Sequence, residues 1–182
     1  MDATSYLDIK SSLRQLYLDD PRPWLVGFSG GKDSTMLASL IVEVIAGIPD
    51  TQRKKPVAVL CTDTRVEIPA IVEMVESTLP RMQKFSQQNN LNVEANLLKP
   101  PPEQSFWVTI IGRGYPPPNR TFRGCTQRLK IDPVTAFVNQ RMGHWGEAIL
   151  HLGARRADSA MRGQTMVGRE KLNGLNRHSG MK

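Results

Sequence analysis

The sequence predicts an α/β fold: a parallel sheet with helices packed on both faces. Three observations carry that prediction. Short runs of apolar residues recur along the chain, and they are continuous, as in strands buried on both sides. Between them lie longer segments of helical period. The connections are long enough to be crossovers, which return each strand parallel to the last.

The elements follow in order. Tyr6, Ile9, Leu13, Leu16 and Tyr17 recur at helical spacing, so residues 4–18 read as an amphipathic helix closed by Asp19-Asp20-Pro21. Trp24 to Phe28, bounded by prolines before and glycines after, reads as a buried strand. Met36, Leu37, Leu40, Ile41, Val44 and Ile45 trace a helix face that Gly47 and Pro49 terminate. Val57 to Cys61 is a second buried strand. Pro69 suits the first turn of a helix whose apolar face is Ile71, Met74, Val75 and Leu79. Val93, Ala95 and Leu97 alternate in a third strand, stopped by Pro100-Pro101-Pro102. Phe106 to Ile111 reads as a short helix, and Gly112 to Gly124 as a long loop rich in glycine, proline and arginine. Asp132-Pro133 reads as an N-cap with proline behind it, opening a helix to about Arg141. Ala148 to Leu152 is a fourth strand, and Arg155 to Lys182 is polar and weakly periodic. The expected organisation is a helix over 1–20, the sheet domain over 21–165 and a polar basic tail over 166–182.

With 182 residues, 40% hydrophobic and 23% charged, the chain is long enough for a core and too apolar for a disordered segment. No apolar run approaches the ~20 residues of a membrane span, and the N-terminus lacks a basic-then-apolar leader. Together with only two cysteines, too few for a disulfide framework, this leads us to expect a cytoplasmic protein. The net charge of +7 is unevenly placed: residues 1–111 carry 11 basic and 13 acidic side chains, residues 112–182 carry 13 and 4. That excess suits contact with a polyanion, a nucleotide or a nucleic-acid backbone, as well as a merely solvated basic surface.

Ligands of parallel sheets sit beyond the carboxyl ends of the strands. The first such end reads Ser29-Gly30-Gly31-Lys32-Asp33-Ser34-Thr35. Two glycines admit a close backbone approach, the following helix aims its N–H groups and positive dipole end there, and Ser29, Ser34, Thr35 and Lys32 add donors and charge. The pattern fits a phosphate group, without the spacing of a Walker A loop. At the second end, Asp63 can hold Mg²⁺ or a ribose hydroxyl, or simply cap a turn, with Glu67 nearby. Cys61, closing an apolar strand, reads as core. At the fourth end, Gly153, Arg155, Arg156 and Arg162 suit neutralisation of phosphate charge. Cys125 lies among Arg123, Arg128 and Lys130, neighbours that suit a nucleophilic or metal-ligating thiolate; an inert thiol is the alternative. Tyr115 and Phe122 among arginines can stack bases of a nucleic acid.

The string Ser29 to Ser34 resembles the signature of the PP-loop ATP pyrophosphatases, a Rossmann-like, adenine nucleotide α-hydrolase-like group that includes ATP sulfurylase small subunits, PAPS reductases, tRNA lysidine synthetases and thiolation enzymes. The resemblance implies that Gly30, Gly31, Asp33 and Ser34 cradle the β,γ-pyrophosphate. It further implies that ATP is cleaved to AMP or an adenylate plus pyrophosphate, usually with Mg²⁺. Lys32, Asp33, Asp63, Arg156 and Cys125 are then the expected catalytic residues. The phrases SGGKDST, DTRVEIPAIVEMVE, GRGYPPPNRTFR, CTQRLKI and Arg155-Arg156-Ala157-Asp158-Ser159, spread over residues 25–162, are more specific still. They resemble the PAPS-reductase-like (DndC) family of bacterial DNA phosphorothioation. That likeness implies sulfur transfer to DNA, a cysteine desulfurase as sulfur donor and Dnd-type partner proteins.

The sequence departs from that pattern in two ways. Family members are longer and carry an iron–sulfur cluster on several cysteines, whereas Cys125 alone is available here, so a cluster would need ligands from elsewhere. Gly124 also stands where a bulky aromatic residue is expected. A truncated chain or a short relative would both fit. Rival readings are a thiol-dependent reductase of PAPS or APS, and a nucleotide- or DNA-binding module without turnover.

Overall fold

The computed structural model describes residues 3–119, 124–145 and 147–153. The chain divides into two units, Met1–Leu152 and Gly153–Lys182, and the elements below belong to the first. In order they are α1 (Ala3–Asp19), β1 (Trp24–Gly27), α2 (Lys32–Ala46), β2 (Val57–Thr62), α3 (Pro69–Gln88), β3 (Val93–Leu98), a single helical turn α4 (Gly124–Thr126), α5 (Asp132–Trp145) and β4 (Ile149–Leu152). The strands form one parallel sheet in the order β3-β2-β1-β4. Trp24 stands opposite Val57 on one side and Ile149 on the other, so three of the runs read from sequence pair side by side.

The alternation of side chains across the pleat divides the core between the two faces. On one face Trp24, Val26, Val57, Val59, Cys61 and Val93 pack with Ala38, Ile41 and Ile45 of α2, Val75 and Leu79 of α3, and Tyr17 of α1. On the other, Leu25, Ala58 and Leu60 meet Val134, Phe137 and Val138 of α5. Helices therefore cover both faces, which is why β1 and β2 could be read as unbroken apolar runs. Among the described residues no helix is long and apolar enough to cross a membrane.

Two local expectations are corrected. Phe106 to Ile111 does not form a plain helix: Val108–Gly112 is a π-turn, in which Thr109 Oγ1 donates to the carbonyls of Ser105 (3.0 Å) and Phe106 (2.8 Å). Nor does Asp132 cap a free helix end: α5 begins at Asp132, as read, but continues from helical backbone before it. Helical backbone already runs from Gly124 through a second π-turn over Gln127–Ile131, and Asp132 has helical angles of −60° and −44°. Its carboxylate accepts a hydrogen bond from Gln127 Nε2 at 2.6 Å instead of capping. Pro133 lacks the N–H that would continue a regular helix, and the widened turn lies where that donor is missing.

Candidate functional site

The loop after β1 is built by its own side chains. Phe28 N–H donates to Leu60 O at 2.8 Å, holding the strand end against β2. Ser34 is buried and sits at the centre: its Oγ donates to Gly31 O (2.9 Å), accepts Ser29 N–H (3.1 Å) and lies 3.1 Å from Ser29 Oγ. Thr35 Oγ1 also donates to Gly31 O at 2.9 Å, as does Thr35 N–H, the first bond of α2. The N–H groups ahead of it open out of the helix end, where the helix dipole is positive. Gly31 is the N-cap residue and no side chain caps the helix.

Gly30 is the most constrained point. Its φ of +73° is left-handed, and a Cβ placed there would lie 3.0 Å from Val75 Cγ2 and 3.5 Å from Ile71 Cγ2 of α3. Glycine is thus required twice, for conformation and for the close approach of α3. Lys32 is exposed at the start of α2, and Asp33 is half-buried in its first turn.

Beside the loop lies a cavity of about 310 Å³, lined by Ser29 and Gly31, by Cys61, Thr62, Asp63 and Glu67 after β2, by Ile71, Val72, Val75 and Glu76 of α3, and by Leu97 and Lys130. The sheet thus presents the loop and an adjoining slot at the carboxyl ends of β1, β2 and β3, where the topology places ligands. Asp63 does cap a turn: its Oδ1 accepts Arg65 N–H at 2.9 Å, while Arg65 takes a left-handed φ of 59°. Its Oδ2 lies 3.9 Å from Lys99 Nζ. Glu67 is held by the buried Thr64, whose hydroxyl donates to Glu67 Oε1 at 3.0 Å, and Lys130 Nζ stands 3.5 Å from the same oxygen.

Mg²⁺ is commonly bound by one or two carboxylates together with substrate phosphates. Asp63 and Glu67 on one cavity beside the loop suit that mode. Among the described residues no group of three or more His, Cys, Asp or Glu could hold a metal without such help. Cys61 is core, as read, but it also forms part of the cavity wall. Burial, reinforced by the Asp63 and Glu67 carboxylates, pushes its thiol up to about 11.

Cys125 is half-buried in α4 and lines a different, smaller cavity with Tyr115, Phe106, Arg128 and Leu129. Two of the basic residues that follow it in sequence, Arg128 and Lys130, diverge in space. Arg128 stays beside Cys125, its guanidinium 4.4 Å over the Tyr115 ring, whereas Lys130 turns to the main cavity. Tyr115 accordingly faces an arginine of its own chain. The chain's two cysteines line separate cavities, so its own residues do not fit a cluster held by several thiolates. Gly153 is exposed just after β4. Arg155, Arg156 and Arg162, with Arg123 and Phe122, lie outside the described residues.

Sequence reasoning missed Glu76 and the apolar wall of the slot, and it assigned Lys130 to Cys125 rather than to the slot. Ile71 and Val75 carry the helical period of α3 and read as core; they do pack there, while also walling the cavity. The signal available was Glu76 itself, a carboxylate immediately beside that apolar stripe.

No family model matches the chain, and no curated protein matches it in sequence. Among solved structures it is similar to the U34-tRNA thiolase NcsA from Methanococcus maripaludis with its [4Fe-4S] cluster. The TM-score is 0.52 at 15% identity, over 95% of this chain and 54% of the thiolase. It is also similar to phosphoadenylyl-sulfate (PAPS) reductase from Candida auris in its phosphate complex, with a TM-score of 0.42 at 15% identity, over 85% of this chain and 69% of the reductase. The likeness to the thiolase is one of fold, and the chain spans about half of that protein's length.

Proposed function

We propose that this chain is a PP-loop enzyme that binds ATP and cleaves it between the α and β phosphates, giving AMP or an adenylate plus pyrophosphate, in support of sulfur transfer to DNA. One observation carries the reading: the Ser29–Ser34 loop and the carboxylates of Asp63 and Glu67 border the same cavity at the strand ends.

In this reading the N–H groups at the start of α2, with Lys32, take the β,γ-pyrophosphate, and the slot takes the nucleoside. Mg²⁺, when bound with the phosphates, would be held by Asp63 and Glu67 and would offset their charge. Arg155 and Arg156, following β4 in sequence, would neutralise charge as pyrophosphate departs from the α phosphorus. Cys125, in its separate cavity, would handle sulfur. The DNA acceptor, the desulfurase and Dnd-type partners rest on the sequence resemblance. The thiolase, a sulfur enzyme by name, supports sulfur chemistry on this fold without choosing DNA as the acceptor.

The test is pyrophosphate release. The purified chain with ATP, Mg²⁺ and a sulfur donor is expected to release AMP and pyrophosphate in equal amounts, and Asp33→Ala to lose that release. Undiminished turnover in the variant would refute the assignment.

A further inference from the structure

A second cavity of about 310 Å³ lies at the other end of the sheet, where the chain enters β1 and β2, and the nucleotide reading makes no use of it. Its apolar wall is Tyr17, Leu18, Pro21 and Pro56, and its charged residues are Asp19, Asp20, Lys54 and Lys55. Lys55 differs from the others in being only 6% exposed. Its Nζ donates to Asp20 O at 2.6 Å and stands 4.5 Å from the ring centres of both Tyr17 and Trp24. Asp20 and Tyr17, two of the three groups that hold the amine, line the cavity themselves, so the amine lies at its wall. Among the described residues no carboxylate forms an ion pair with it: that of Asp20 is taken by Arg22, 2.6 Å away. The Tyr17 hydroxyl donates to Lys55 O, and His151 lies against Trp24 with ring centres 4.3 Å apart, so neither brings a negative charge.

A buried ammonium without a counter-charge is costly, and a lysine in that setting is a nucleophile toward carbonyl carbon. From this geometry we infer that Lys55 is a carbonyl-reactive amine and that the cavity beside it binds a small aldehyde with an apolar or aromatic body. Nζ adds its lone pair to the aldehyde carbon and forms the N–C bond. The carbonyl oxygen then leaves as water with the two amine protons, and an imine remains. The step needs no oxidant or reductant, and water reverses it. Burial, against the pull of the Asp20 carboxylate and with the help of Arg22, lowers the Lys55 ammonium to about 8. At pH 7.5 about a quarter of Lys55 is therefore free amine, against about one part in a thousand of an ordinary exposed lysine. The cavity, at the low end of the size range of small-molecule sites, suits a ligand of one ring. The inference is independent of the nucleotide reading.

The experiment treats the full chain with benzaldehyde and cyanoborohydride, which reduces the imine to a stable benzylamine, and reads the modified sites by peptide mass spectrometry. Lys54 is the internal control, because it borders the same cavity but is exposed. At pH 7.5 Lys55 is expected to be benzylated about tenfold faster than Lys54, the gain in free amine being partly offset by its restricted access. That advantage should shrink as the pH is raised and exposed lysines lose their protons in turn. Gln52→Trp places bulk at an exposed position of the cavity lining and leaves the fold intact. It is expected to slow Lys55 severalfold and to leave Lys84, exposed on α3, unchanged. Labelling of Lys55 no faster than that of Lys54, as a purely structural burial would give, would overturn the inference. So would a Lys55 rate indifferent to Gln52→Trp.

Discussion

Replacing Gly30 by alanine probes the loop at its most constrained point, and the neighbouring glycine supplies an internal control. A left-handed alanine costs about 1–2 kcal/mol relative to glycine. The new methyl group would also stand 3.0 Å from Val75 Cγ2, on a side chain that is only 7% exposed and has little room to withdraw. Overpacking of this kind costs about 1–3 kcal/mol. The sum, about 2–5 kcal/mol, is a large share of a typical domain stability of about 5–15 kcal/mol. It should lower the urea midpoint by about 1–2 M at an ordinary dependence on denaturant. Gly31 has a φ of −76°, and a Cβ there meets nothing closer than Ser29 Oγ at 3.6 Å. Gly31→Ala should therefore change stability by no more than about 0.5 kcal/mol, with stiffening of the unfolded chain offsetting part of any loss. Adding Val75→Ala to Gly30→Ala removes the contact but not the φ penalty, so a double-mutant cycle should show a favourable coupling of about 1 kcal/mol. Urea unfolding followed by tryptophan fluorescence measures all four. Equal midpoints for Gly30→Ala and Gly31→Ala, or no coupling with Val75, would refute the claim that α3 closes onto the loop through Gly30.

Two further predictions concern titratable groups, Lys55 away from the loop and the two cysteines. Lys55 is buried, donates to Asp20 O at 2.6 Å and lies 4.5 Å from the ring centres of both Tyr17 and Trp24; burial lowers its ammonium to about 8. Because the folded form holds its proton less tightly than the unfolded chain, the cost of burying the charge is felt below about pH 8 and is relieved as pH rises toward 10.5. The stability of the wild type relative to Lys55→Met should therefore increase between pH 7.5 and 9.5, and a flat difference would refute this. For the cysteines, iodoacetamide at pH 8 followed by peptide mass analysis should modify Cys125 and spare Cys61 until the protein is unfolded. The Cys61 thiol is both 3% exposed and pushed up to about 11, and equal labelling of the two would contradict its burial.

Much of the scaffold was legible because its determinants are local. The apolar runs at Trp24 and Val57, the glycines after β1 and Pro69 at the start of α3 act over a few residues, and each appears where it was read. Reading failed between Phe106 and Asp132, where two π-turns replace a helix and a cap. A π-turn has no distinct sequence period, and Asp-Pro suits a helix start as well as it suits the position after a widened turn.

The sequence by itself determined the order of strands and helices and the chemical character of the loop from Ser29 to Thr35. Those depend on short-range pattern, on glycine freedom and on the dipole of the helix that follows. Only the tertiary structure decided what the loop faces. Gly30 meets Val75 across more than forty residues of chain, Lys130 leaves Cys125 for Glu67, and Glu76 turns from an unremarked surface acid into part of the slot. Helical period states which stripe of α3 is apolar, but not that the stripe's edge walls a cavity. That follows only from the parallel sheet bringing the ends of β1, β2 and β3 side by side.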